Sequence, residues 1–149
     1  MYKVIQLTNP TIGAVAAGSL LPLGAITRRY GCRCDNNCNV FEVSTTGSNT
    51  ITINEEGYYH LTYTGSLVAG AAGDIILDLL INGIEVLSVS QSATAVGDVE
   101  NITLNYVIRV LPNCNACVNN SPAIVQIRLD ETSVALTGGT SNIIVEKVR

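Results

Sequence analysis

Five cysteines fall in two groups, Cys32-x-Cys34-x-x-x-Cys38 and Cys114-x-x-Cys117. Thiolates at such short spacing aim two sulfurs at one ion, which suits tetrahedral Zn²⁺. The same residues form disulfides where their Cα atoms come within about 7 Å, or they stay as free thiols. A metal site requires the two groups to meet at one end of the fold, whereas disulfides require an oxidising compartment. The odd count leaves at least one cysteine over in either case. Both groups lie in Gly- and Asn-rich stretches between predicted strands, Gly31 to Asn39 and Pro112 to Pro122. Their expected role is therefore to staple loops, an effect of about 2–4 kcal/mol, and not to catalyse. A structural zinc is the cofactor these cysteines raise.

His60 is the single histidine. It has the chemistry of a general base, but no Ser or Cys nucleophile is placed beside it, so a surface or interface position opposite the core is expected. Asp74 and Asp78, four apart on one predicted strand, share a face as paired carboxylates would. Calcium sites use such oxygens, and a solvated strand edge is the competing reading. Asn101-Ile102-Thr103 and Asn119-Asn120-Ser121 match the glycosylation acceptor pattern, which has meaning only in a eukaryotic secretory pathway. No phosphate-binding loop, dinucleotide fingerprint, nucleophile elbow or metalloprotease helix occurs. No catalytic residue is assigned, and the chain reads as a non-enzyme.

These residues have to be positioned by strands. Apolar residues come in pairs, alternations and short runs closed by Gly, Asn, Ser and Thr, with no three-to-four-residue period, so the fold is read as all-β. Ten strands are expected: Ser19 to Arg29, Val40 to Val43, Thr50 to Ile53, Gly57 to Leu67, Asp74 to Ile81, Ile84 to Ser92, Asn101 to Leu111, Ala123 to Asp130, Ser133 to Leu136 and Asn142 to Val148. Asn82-Gly83 is a two-residue hairpin signal, because both central positions of a type I′ turn need positive φ. Gly138-Gly139 reads as a turn before the last strand. After Gly57, Tyr59, Leu61 and Tyr63 are expected in the core, with Tyr58, His60 and Thr62 on the other face. Ile143 and Val145 alternate with Ile144 and Glu146, so the last strand is apolar on both faces near its start, as a central strand or a subunit contact would be.

The 149 residues suit one domain. Hydrophobic residues at 47% against 13% charged exclude disorder. A surface so short of charge is uncharged-polar or covered by other subunits, and self-association is expected. Eight basic against twelve acidic residues, net −4, with no cluster beyond Arg28-Arg29, argue against a nucleic-acid partner. The apolar stretch from Thr11 to Ile26 is interrupted by Gly13, Gly18, Pro22 and Gly24, so it is not a membrane span. Lys3 ahead of Ala14, Ala16 and Ala17 has some features of a signal peptide, but a cleaved leader is not expected.

Ile51-Thr52-Ile53-Asn54-Glu55-Glu56-Gly57-Tyr58-Tyr59-His60-Leu61-Thr62-Tyr63 resembles the C1q/TNF-like superfamily, whose members carry a short strand, a turn ending in Gly and an aromatic-alternating strand. The strand that ends in Asn82-Gly83, then Asn101 to Leu111 and Asn142 to Arg149, look like the strands that follow in that family. The resemblance covers Ser19 to Arg149. It implies a ten-strand jelly-roll β-sandwich packed as a homotrimer. In bacteria and their phages similar domains look like surface modules, namely spore-coat fibre tips, head fibres, capsid decoration proteins and receptor-binding tips. No collagen-like stalk is present, which favours a bacteriophage capsid or fibre component on the virion surface. The alternative is a surface-displayed binding module that recognises a host glycan or protein. On this reading Met1 to Gly18 is a leader that attaches the domain to a larger assembly.

Overall fold

The computed structural model describes residues 2–31, 40–44, 47–111 and 122–149. All ten strands are antiparallel and lie in two five-stranded sheets. The first sheet has the order β2-β1-β10-β5-β8, and the second β3-β4-β9-β6-β7. In chain order the strands are β1 (Val4–Ile12), β2 (Ala25–Tyr30), β3 (Phe41–Val43), β4 (Ile51–Ile53), β5 (Gly57–Ala69), β6 (Gly73–Ile81), β7 (Ile84–Ala93), β8 (Val99–Val110), β9 (Ala123–Leu129) and β10 (Leu136–Lys147). Among the described residues there is no helix, and so none long and apolar enough to cross a membrane.

The core forms because strand alternation sends one face of each sheet inward. Tyr59, Leu61 and Tyr63 of β5, with Ile143 and Val145 of β10, meet Leu77, Leu79, Val125 and Ile127 of the second sheet. The Phe41 ring stands edge-on to Tyr59, with centroids 5.8 Å apart, in the geometry that aromatic quadrupoles favour. The Asn82-Gly83 turn is as expected, with φ of 53° and 80°.

Three expectations are corrected. The stretch Met1 to Gly18 is not a leader outside the jelly roll, since β1 pairs with β2 on one side and β10 on the other. Ile5, Leu7, Ile12 and Val15 belong to the core. Pro10 disguises this strand, but it falls in the register shift between Asn9 and Ile12 and beyond the last pair with β2, where no ladder donor is needed. The segment expected as a strand from Ser19 becomes one only at Ala25. Before that, Leu21 and Leu23 plug the sandwich, and Leu20 bridges to Arg128. Finally, of the strand expected from Ser133 to Leu136 only Leu136 is in a strand, where β10 starts, and the expected last strand begins earlier because β10 runs on through Gly138 and Gly139. Gly139, at φ 149°, lies where a Cβ would come 2.5 Å from the Ser66 carbonyl oxygen, so the glycine serves close backbone approach, not a turn.

Candidate functional site: the outer face of the first sheet

Register fixes which side chains share the outer face of the first sheet. The pairs Gln6–Ile144, Ile144–Thr62 and Thr62–Asn105 form one rung across β1, β10, β5 and β8. Thr8, Asn142, Thr64 and Thr103 form the next, and Thr140, Ser66 and Asn101 the one after. No charged residue stands on these four strands within those rungs. Four hydrogen bonds tie many of these polar groups together: Gln6 Nε2 donates to Asn142 Oδ1 at 2.8 Å, Thr8 Oγ1 to the same oxygen at 3.1 Å, Thr62 Oγ1 to Asn105 Oδ1 at 3.2 Å, and Ser66 Oγ to Asn101 Oδ1 at 2.6 Å. A surface whose hydrogen bonds are met internally loses little when water leaves it.

The rung Val4, Glu146, His60 and Val107 closes this face at one end. Glu146 Oε2 accepts the Tyr2 hydroxyl at 2.8 Å, and its other oxygen lies 3.6 Å from His60 Nδ1. The hydrogen bond to Glu146 raises the Tyr2 phenol above its ordinary pKa of 10.0. Tyr2, Tyr30, Tyr58 and Val107 are exposed around this pair, as is Ile26 on β2, a strand exposed at all six positions. His60 thus sits on the face opposite the core, as expected. Its neighbours along and across the sheet, Tyr58, Thr62, Glu146 and Val107, offer no activated nucleophile.

Beyond that rung an open cleft of about 350 Å³ is lined by Glu56, Tyr58, Arg109, Val110, Leu111, Lys147 and Arg149, with Gly57 at its base. The Arg109 guanidinium lies 5.8 Å from the centroid of the Tyr58 ring. Beside the cleft, Glu55 joins the two chain-terminal strands: Lys3 Nζ reaches both its carboxylate oxygens at 2.5 Å and Lys147 Nζ reaches Oε1 at 2.6 Å. Burial pulls the Glu55 carboxyl upward, but the hydrogen bonds and charges of Lys147 and Lys3 hold it below its ordinary value. Sequence reading singled out neither Glu55 nor the cleft. Both arise from pairing of strand ends distant in the chain, for which a single sequence carries no local signal.

The second sheet differs in kind. Asp78, fully buried, accepts from Ser88 Oγ at 2.9 Å and from Arg128 Nε and Nη2 at 3.2 and 2.8 Å. Asp74 and Asp78 share a face as expected but do not act together, because four residues of strand separate them by about 13 Å. Asp74 accepts instead from Ser92 Oγ at 2.6 Å. Nor is Asp78 a solvated edge. Its carboxylate, with those of Glu85 and Asp130, offers oxygens within 4.8 Å of one another, and the Arg128 guanidinium supplies the positive charge among them. Asn101 is exposed and committed to Ser66. All five cysteines and Asn119 lie outside the described residues. The flanks of the cysteine stretches are described, and they converge: Phe41 and Ala123 both pair with Ile53, Val110 pairs with Gly57, and Gly31 abuts Lys3.

Comparison with known proteins identifies the fold. No protein-family model and no curated protein matches the sequence. Among solved structures, the globular domain of zebrafish complement 1qA protein superposes with a TM-score of 0.65 at 9% identity, covering 99% of this chain and 98% of that one. The Eiger TNF of S. frugiperda gives 0.67 at 9% identity, covering 100% and 92%. The PRD1 vertex protein P5 gives 0.61 at 16% identity, covering 99% and 97%. The fold is that of the C1q/TNF-like jelly rolls, as the aromatic strand after Gly57 suggests in sequence.

Proposed function

We propose that this chain is a non-enzymatic structural module that displays itself as a homotrimer on the surface of a virion, as a capsid decoration or head-fibre subunit. The observation that carries the proposal is the uncharged, internally hydrogen-bonded outer face of the first sheet, bordered at one end by exposed Tyr2, Tyr30, Tyr58 and Val107. Charge is concentrated elsewhere, so this is the face that loses least on meeting another copy. A heterologous contact, in which the face of one copy receives an edge of the next, closes into a ring of three. Similarity to a vertex protein as well as to C1q and TNF domains supports a surface location. Because Val4–Ile12 is built into the sheet as β1, that stretch is not a free attachment arm, and attachment to a particle is assigned to the outer surfaces of the trimer.

The five cysteines are proposed as staples of the two stretches whose flanks converge, through zinc or disulfides. The test is the light-scattering mass of the full chain, with zinc content and free thiols measured on the same fraction. A mass near three chains is expected, with bound zinc or fewer than five titratable thiols. A clean monomer overturns the trimer, and a metal-free protein with all five thiols reactive overturns the staples. The second reading, a binding module for a host glycan or protein, is favoured by the cleft beside Arg109.

A further inference from the structure

The molecule is electrically polarised along its strands. The end where β6 and β8 begin and β9 finishes carries Asp74, Asp98, Glu100, Asp130 and Glu131. The opposite end carries Lys3, Arg109, Lys147 and Arg149, four of the chain's eight basic residues, against the acids Glu55, Glu56 and Glu146. Lys3 and Lys147 share one carboxylate, that of Glu55. Among the described residues no carboxylate comes within ion-pair distance of the side chain of Arg109 or Arg149. Glu56 is the single acid lining the cleft that these two arginines border.

We propose that this cleft binds the oxyanion of an acidic sugar residue, a carboxylate or sulfate carried on one sugar ring. Arg109 is the recognising group. Its guanidinium is held against Tyr58, so less side-chain freedom is lost when it engages a ligand, and its planar fork matches a carboxylate or sulfate. Leu111 and Tyr58, backed by the buried Val110, supply an apolar wall of the kind a sugar's C–H face covers. A volume of about 350 Å³ lies at the small end of ligand sites, which fits one ring and not an extended chain. The uneven charge steers anions to this end although the whole chain is net −4. The proposal deepens the glycan-binding reading above, and its single-site affinity does not depend on the trimer.

The test is an NMR titration of the isotope-labelled full chain with glucuronic acid and, separately, glucose 6-sulfate, following the amides of Gly57, Tyr58, Arg109 and Leu111. Glucose and inorganic sulfate serve as controls. Saturable shifts with at least one acidic sugar are expected, with a Kd on the order of 1 mM. Binding should weaken about tenfold in Arg109→Gln, and Arg28→Gln, at the far edge of the sheet, should leave it unchanged. The two acidic probes decide between carboxylate and sulfate. No saturable shift with either acid, equal binding of glucose, or an undiminished affinity in a folded Arg109→Gln protein overturns the proposal. Inorganic sulfate binding as tightly as the acidic sugars overturns it too, by leaving an anion site with no sugar component. A trimer that fails to bind sinks the cleft alone, and a monomer that binds sinks the trimer alone.

Discussion

Asp78 on β6 and Arg128 on β9 face each other across the second sheet, with Arg128 Nη2 2.8 Å from an Asp78 oxygen that has no contact with solvent. The Ser88 hydroxyl completes the set on the other carboxylate oxygen. A charge this deep is tolerated only while its partners hold it, so Asp78→Ala should lower stability by about 3–5 kcal/mol. Replacing both members with apolar residues of similar volume should restore most of the loss. Urea unfolding of the single and double variants checks this, and a double variant as unstable as the single one would mean that the pair does not act as a unit.

Two buried tyrosines on the core face of β5, either side of Leu61, should respond differently to loss of their hydroxyls. Tyr59 donates to the Glu55 carbonyl at 2.8 Å. The Tyr63 hydroxyl is buried with no hydrogen-bond partner among the described residues, and so is Ser141 Oγ on the adjoining strand. Burial pushes the Tyr63 phenol up to about 12. Tyr59→Phe should cost about 1 kcal/mol, whereas Tyr63→Phe should cost less or be neutral, because the desolvated Tyr63 hydroxyl has at most the weak contact with Ser141 to lose. Thermal unfolding of the two variants side by side decides it.

What the sequence shows and hides follows from the range of the physical signal. Alternation within β5 is local, so Tyr59, Leu61 and Tyr63 are legible as core and His60 as outward-facing without any structure. The Asn82-Gly83 turn is legible for the same reason, since it rests on two adjacent residues with positive φ. By contrast, β1 is hidden by Pro10, whose position in a register shift is set by the distant residues of β10. Gly138-Gly139 misleads because a glycine needed for close approach to β5 is indistinguishable in sequence from one needed for a turn. The Lys3–Glu55–Lys147 cluster joins residues 52 and 92 positions apart, and only the assembled sheets bring them together.

Gly139 provides a direct check on that distinction. Any side chain there meets both a φ of 149° and the Ser66 carbonyl oxygen. Gly139→Ala should therefore destabilise by about 2 kcal/mol or more. Gly83→Ala, where a Cβ meets nothing within 4 Å and only the positive φ of 80° resists it, should cost less. Equal losses in chemical unfolding would show that close approach at β10 contributes nothing beyond backbone strain.

The acid limb of stability should carry the signature of Asp130. Its carboxylate accepts from the Thr132 hydroxyl at 2.6 Å and backbone N–H at 2.8 Å. These bonds, the Thr132 hydroxyl foremost, depress it from the ordinary 3.8 to about 2. A folded-state value below the unfolded one means that the stabilisation is complete above pH 3.8 and disappears as pH falls from there through about 2. An NMR titration of the Asp130 side-chain carboxyl should give a midpoint near 2 in the native protein. In Thr132→Ala the midpoint should rise towards 3.8, and the loss of stability on acidification should begin at higher pH. An unchanged midpoint in that variant would assign the shift to the backbone N–H of residue 132, Asp78 and Arg128 rather than to the Thr132 hydroxyl.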